Sequence, residues 1–145
     1  ALIHRPKPMA DESMPAGNGI AAFALQRLGH LLGEPHYLEA ARRTLELAGP
    51  AIGEMPYAHA SLLFALDEHL DPPEILIVRA DPELLDDWQA AAQKGYSPRR
   101  LVLAIPSPET GLPGALAGMK AQAAPLAYRC RGTHCEPPIR RLEGL

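Results

Sequence analysis

The chain has 145 residues, 47% of them apolar and 21% charged, with a net charge of -3. That length holds one domain or two small subdomains, and that composition belongs to a packed core, which excludes a wholly disordered chain. No run approaches the roughly 18 apolar residues of a membrane helix, and the arginine pairs at 42–43, 99–100 and 140–141 stand apart, so neither membrane nor nucleic acid is an expected partner.

Residues 1–17 are rich in Pro, Gly and charge and read as an extended lead-in. A first helix is expected from Asn18, a good N-cap, to Gly33, a good C′ residue, with Ile20, Phe23, Ala24, Leu28 and Leu31 on its inward stripe. Gly33-Glu34-Pro35 is a tight break, and a second helix follows over 36–48 with Leu38, Ala41, Leu45 and Ala48 inward. So short a connection makes the two an antiparallel αα-hairpin, which Gly49-Pro50 is expected to close. A third helix is expected over 57–70, with Ala58, Leu62, Ala65, Leu66 and Leu70 or their neighbours turned inward. Asp71-Pro72-Pro73 ends it, because a residue before proline leaves the α region.

After that break the pattern changes. Residues 74–79 form a short apolar run with β-branched members, the mark of a buried strand. Asp81-Pro82 supplies an N-cap with proline at N1 and opens a helix to about Lys94, with Leu84, Leu85, Trp88 and Ala91 or Ala92 buried. Residues 101–105 form a second buried strand, and strand–helix–strand at this spacing is a βαβ unit with parallel strands. The Pro- and Gly-rich stretch 106–124 holds at most one short helix near 116–120, and a third strand runs over 126–130. The expected fold is thus mixed α+β: α-helical hairpins over residues 1–70, then a small three-stranded α/β unit over 71–145.

Reactive side chains are few. Cys130, His134 and Cys135 make one cluster, and Cys-x₄-Cys is neither the Cys-x₂-Cys redox motif nor a complete zinc site. Two free thiols, a disulfide and a shared metal remain open for it. Asp11 and Glu12 are candidate acid/base carboxylates set against ordinary lead-in charges, and His59 is a candidate pocket histidine set against a helix-end hydrogen bond. Gly17-Asn18-Gly19 lacks the Lys-Ser/Thr of a phosphate loop, so Asn18 reads as a cap or, with Tyr57, as a pocket residue. No Gly-x-Gly-x-x-Gly follows the first strand, and no cofactor or metal is expected. The N-terminus has no signal-peptide pattern and no initiator Met, so the chain reads as a fragment or processed product; two cysteines make the reducing cytoplasm the default compartment.

Four stretches carry a resemblance: Asp11-Glu-Ser-Met-Pro-Ala-Gly-Asn18, the hairpin around Leu25–Gly29 and Tyr37–Ala41, the run Met55-Pro-Tyr-Ala leading to Asp67, and the closing Ala127-Tyr-Arg-Cys130 with Cys135-Glu-Pro-Pro138. In that order, over nearly the whole chain, they resemble the C-terminal part of the thioredoxin domain-containing, spermatogenesis-associated protein family. The resemblance implies a parent with an N-terminal thioredoxin-like domain and a six-hairpin α/α barrel similar to those of glycosidases and epimerases. Residues 1–70 would be the last barrel helices. The thioredoxin-like domain and most of the barrel are absent from this chain, so any activity that needs them is not expected of it alone. A C-terminal structural module is the first expectation, joined to the rest of the parent or to itself through helix faces. The alternatives are a contribution to a carbohydrate-processing pocket through Asp11, Glu12 and His59, and thiol exchange between Cys130, Cys135 and the thioredoxin-like domain.

Overall fold

The structure, a computed structural model, describes residues 7–145. Residues 1–6 of the expected lead-in lie outside that range. The protein is mixed α+β, with four helices and a four-stranded mixed sheet among the described residues. It divides into two units, one of residues up to Gly29 with Glu34–Asp71, the other of His30–Gly33 with Pro72–Leu145.

Helices α1 (Gly17–Leu32), α2 (Pro35–Glu54) and α3 (Ala60–Leu70) belong chiefly to the first unit. Gly33, at φ 68°, ends α1 in the left-handed conformation that glycine adopts without a Cβ clash, and Pro35 opens α2 at its first turn. The core joins Ala22 of α1, Ala41, Leu45, Ala48 and Ile52 of α2, and Leu62 and Ala65 of α3. Three boundaries differ from the sequence expectation. Helix α1 begins at Gly17, so Asn18 is inside it rather than its cap. Helix α2 runs through Pro50 to Glu54 and is not closed there. The missing N–H costs about 3 kcal/mol, and burial of Ile52 two residues later, with the helix bonds beyond it, offsets much of that. A short 3-10 turn at Pro56–Ala58 precedes α3, which starts at Ala60 rather than Tyr57.

The inward face of α1 also differs. Gly19, Ala22, Gln26 and Gly29 are buried, whereas Ile20 and Leu28 are exposed. Close approach between helices selects small residues: a Cβ on Gly19 would collide with Ser61, and one on Gly29 with Leu38. Leu70, expected inward on α3, is exposed because it is the last residue of the helix. Two polar ties bind α1 to α3. Gln26 Nε2 donates to Ala65 O at 2.8 Å, and Arg27 Nε donates to both carboxylate oxygens of Glu68 at 3.1 Å. Glu68 is only 2% exposed, so the arginine is its necessary counter-charge.

In the second unit, β1 (Glu74–Ala80), α4 (Pro82–Ala92) and β2 (Arg100–Pro106) form the expected βαβ unit, with Leu76 opposite Val102 and Ile77 opposite Leu103 in a parallel pair. Asp81 occupies the N-cap position of α4 and Pro82 its first turn, although the Asp81 side chain makes no capping bond. The expected three-stranded unit is a four-stranded sheet, ordered β2-β1-β3-β4. Strand β3 (Leu126–Arg131) pairs antiparallel with β1, and β4 (His134–Cys135) returns beside β3. Gly132, at φ 59°, and Thr133 make the two-residue turn between them; glycine supplies the positive φ that such hairpins require.

Strand β1 is buried on both faces, as a central strand with parallel pairing should be. Leu76, Val78 and Ala80 pack with Trp88 and Ala92 of α4, whereas Ile75 and Ile77 pack with Leu116 on the opposite side. Leu84, expected on the buried stripe of α4, is exposed, because Leu85, Trp88 and Ala92 complete the contact. A 3-10 turn at Gly114–Gly118 supplies Leu116 from the Pro- and Gly-rich stretch.

Candidate functional site

The first unit carries a groove of about 360 Å³ between the start of α1 and the start of α3. Asp11, Glu12 and Ser13 form one wall, and Met14, Ile20, Phe23 and Phe64 make the rest apolar. Asp11 is held rather than free. Its Oδ1 accepts from Ala16 N at 2.7 Å and Ser61 Oγ at 2.5 Å, its Oδ2 accepts from Ser61 N at 2.8 Å, and its own N–H donates to Ala58 O at 2.7 Å. Those donors, Ala16 first and then Ser61, hold its carboxyl below the ordinary aspartate range. A carboxylate so stabilised is a weak base, and its arrangement is that of a strap tying the lead-in to two helix starts.

The other sequence candidates separate. Glu12 is exposed on the groove wall, and its backbone N–H donates to Met14 O. His59 is buried, with Nδ1 2.8 Å from Met55 O, so a helix-end hydrogen bond occupies one ring nitrogen. Its charge contributes the smallest part of the lowering at Asp11. Tyr57 is 82% exposed, and Asn18 donates from Nδ2 to Pro8 O at 2.7 Å. Neither residue, nor His59, lines the groove. Asp11 and Glu12 are therefore brought together there, and the other three are not.

In the second unit Cys130 and Cys135 are joined in a disulfide, one of the three options that spacing alone left open. The two are direct partners across the β3–β4 hairpin, so the turn at Gly132 brings them together. Cys130 is buried and Cys135 exposed. Beside Cys130, Glu74, Arg129, His134 and Glu136 line a cavity, in which Arg129 lies 3.9 Å from Glu74 and 3.7 Å from Glu136. Among the described residues no group of three His, Cys, Asp or Glu side chains is placed to hold a metal ion, and no helix is long and apolar enough to cross a membrane.

Sequence reading passed over Arg79. It ends an apolar run, where a charged residue normally emerges into solvent, yet it is 3% exposed. The alternation of β1 was a usable signal: Arg79 shares its face with Ile75 and Ile77, which are both buried. No protein-family model, curated protein or solved structure matches the chain.

Proposed function

We propose that this chain is the C-terminal structural module of a thioredoxin domain-containing protein, its helical unit being the closing part of a larger α/α assembly. The apolar groove of the first unit carries the reading. Phe64, which lines it, is 68% exposed, and Met14 and Ile20 are largely exposed too, on a unit whose own core does not include them. An uncovered apolar surface of this kind favours association. The occupied oxygens of Asp11 support the same reading against acid/base chemistry on a sugar. The test is light scattering and hydrophobic-dye binding on the chain alone. Concentration-dependent association that Ile20→Asp with Phe64→Asp abolishes is expected, and a clean monomer that binds no dye rejects the proposal.

The disulfide favours a second reading, thiol exchange. A dithiol of the thioredoxin type would attack the exposed Cys135 sulfur, releasing Cys130 as a thiolate; the partner's second thiol would then displace Cys135. The chain's disulfide is thereby reduced to two thiols and the partner's dithiol is oxidised. Reduced thioredoxin should open the bond within minutes and become oxidised in equal amount. A bond that stays closed under those conditions removes this reading.

A further inference from the structure

Arg79 stands at the carboxyl end of β1, beside the carboxyl end of its parallel neighbour β2, the position where open α/β sheets gather ligands. Its Nη2 donates to two backbone carbonyls, Ser107 O at 3.2 Å and Glu109 O at 2.8 Å. Its Nε and Nη1 are buried with no hydrogen-bond partner. A guanidinium keeps its charge at any ordinary pH, so burial among carbonyls and apolar side chains leaves a full positive charge without a counter-ion. The residue lines a cleft of about 400 Å³, a volume suited to a small molecule.

The remaining walls select among anions. Leu112, Leu116 and Met119 make much of the surface apolar, Thr110 adds a hydroxyl, and Lys120 adds a second positive charge. Glu109 also lines the cleft, and its negative charge disfavours a dianion such as phosphate more than a singly charged group. We propose that Arg79 anchors a binding site for a small organic carboxylate with an apolar body. The guanidinium turns its covered N–H groups toward the cleft to meet the carboxylate in charge-assisted hydrogen bonds, and the body lies against the Leu112, Leu116 and Met119 wall. The site lies wholly within the second unit and does not depend on the structural or redox reading above.

The test titrates benzoate and, separately, inorganic phosphate into the isotopically labelled chain and follows the protein by NMR. Benzoate should saturate with a Kd of about a millimolar, as befits so small a ligand. It should move the Arg79 Nε–H resonance and the backbone amides of residues 107–112 and 119–121. Arg79→Gln should weaken binding about 30-fold, the loss of a charge-assisted pair. Should that variant not fold, Ala117→Asp places a negative charge on the exposed cleft wall while Arg79 stays, and should weaken binding about tenfold. The proposal is overturned by benzoate shifts that do not saturate or that fall elsewhere. Phosphate binding more tightly than benzoate, or unchanged affinity in the folded variants, overturns it as well.

Discussion

The two units solve the problem of burial in opposite ways. The α/β unit sinks one strand, β1, so that residues 75–80 are all buried and both faces of the sheet pack on it. The helical unit instead brings backbones close through Gly19, Ala22, Ala41, Ala48 and Ala65, and much of its larger apolar material, Phe64, Leu47 and Leu70 included, faces outward. A small-residue interface buries little apolar area per residue, so polar ties such as Gln26 to Ala65, Arg27 to Glu68 and Asp11 to Ser61 take a larger share of its stability. The difference teaches that apolar periodicity marks a helix but does not by itself say which side goes in.

The contrast can be broken most sharply at β1. Ile77→Ala should cost about 3–4 kcal/mol by leaving a cavity under a fully buried side chain, read as a lowered denaturation midpoint from Trp88, the single tryptophan, which packs on the same sheet. Glu68→Ala should cost about 3 kcal/mol, because it removes the buried carboxylate through which Arg27 ties α1 to α3, and the loss should register in helical circular dichroism. A smaller loss there than for the removal of an exposed leucine would end the claim that polar ties hold the helical unit.

Asp11→Ala comes next, at about 2 kcal/mol, since the Ala16 and Ser61 N–H groups lose their acceptor. The same residue gives a pH signature. Its folded carboxyl titrates below the unfolded value near 3.8, so its contribution is complete above that value and is lost as pH falls through the folded one. Acid titration of helicity should therefore show a transition below about pH 4 that is smaller in Asp11→Asn. Gly19→Ala is subtler. Alanine gains about 1 kcal/mol of helix propensity, but its Cβ collides with Ser61, and a net loss of about 1 kcal/mol in thermal denaturation is expected. The smallest effect belongs to Arg42→Ala on the solvent side of α2. Arg42 and then Arg43 hold the Glu39 carboxyl at about 2, yet such solvated pairs add little, and the midpoint should barely move.

Much of the second unit was legible because its signals are local. Proline at 82 after aspartate, two short apolar runs and the spacing between them suffice for a βαβ unit. Strand β4 was not legible, since two residues carry no periodicity, and the place of β3 beside β1 depends on a pairing fifty residues away in sequence. In the first unit, Pro50 read as a stop because the rule is local, whereas the burial that carries α2 past it is not. The candidate site was legible in part. Asp11 and Glu12 share a wall as their adjacency suggests, but the bonds that occupy Asp11 come from Ser61, far along the chain. Arg79 was missed because a charge at a strand end ordinarily marks the edge of the core, and here the loop after β2 folds over it.

The strand order has a consequence for how this polypeptide is made. Synthesis delivers β1, α4 and β2 before β3, which must come back to the free side of β1. Until residues 126–131 leave the ribosome, the most hydrophobic strand of the sheet keeps one row of backbone donors and acceptors open to any other extended segment. A nascent chain that has reached only about residue 125 is thus an aggregation template, and β3 acts as its intramolecular guard.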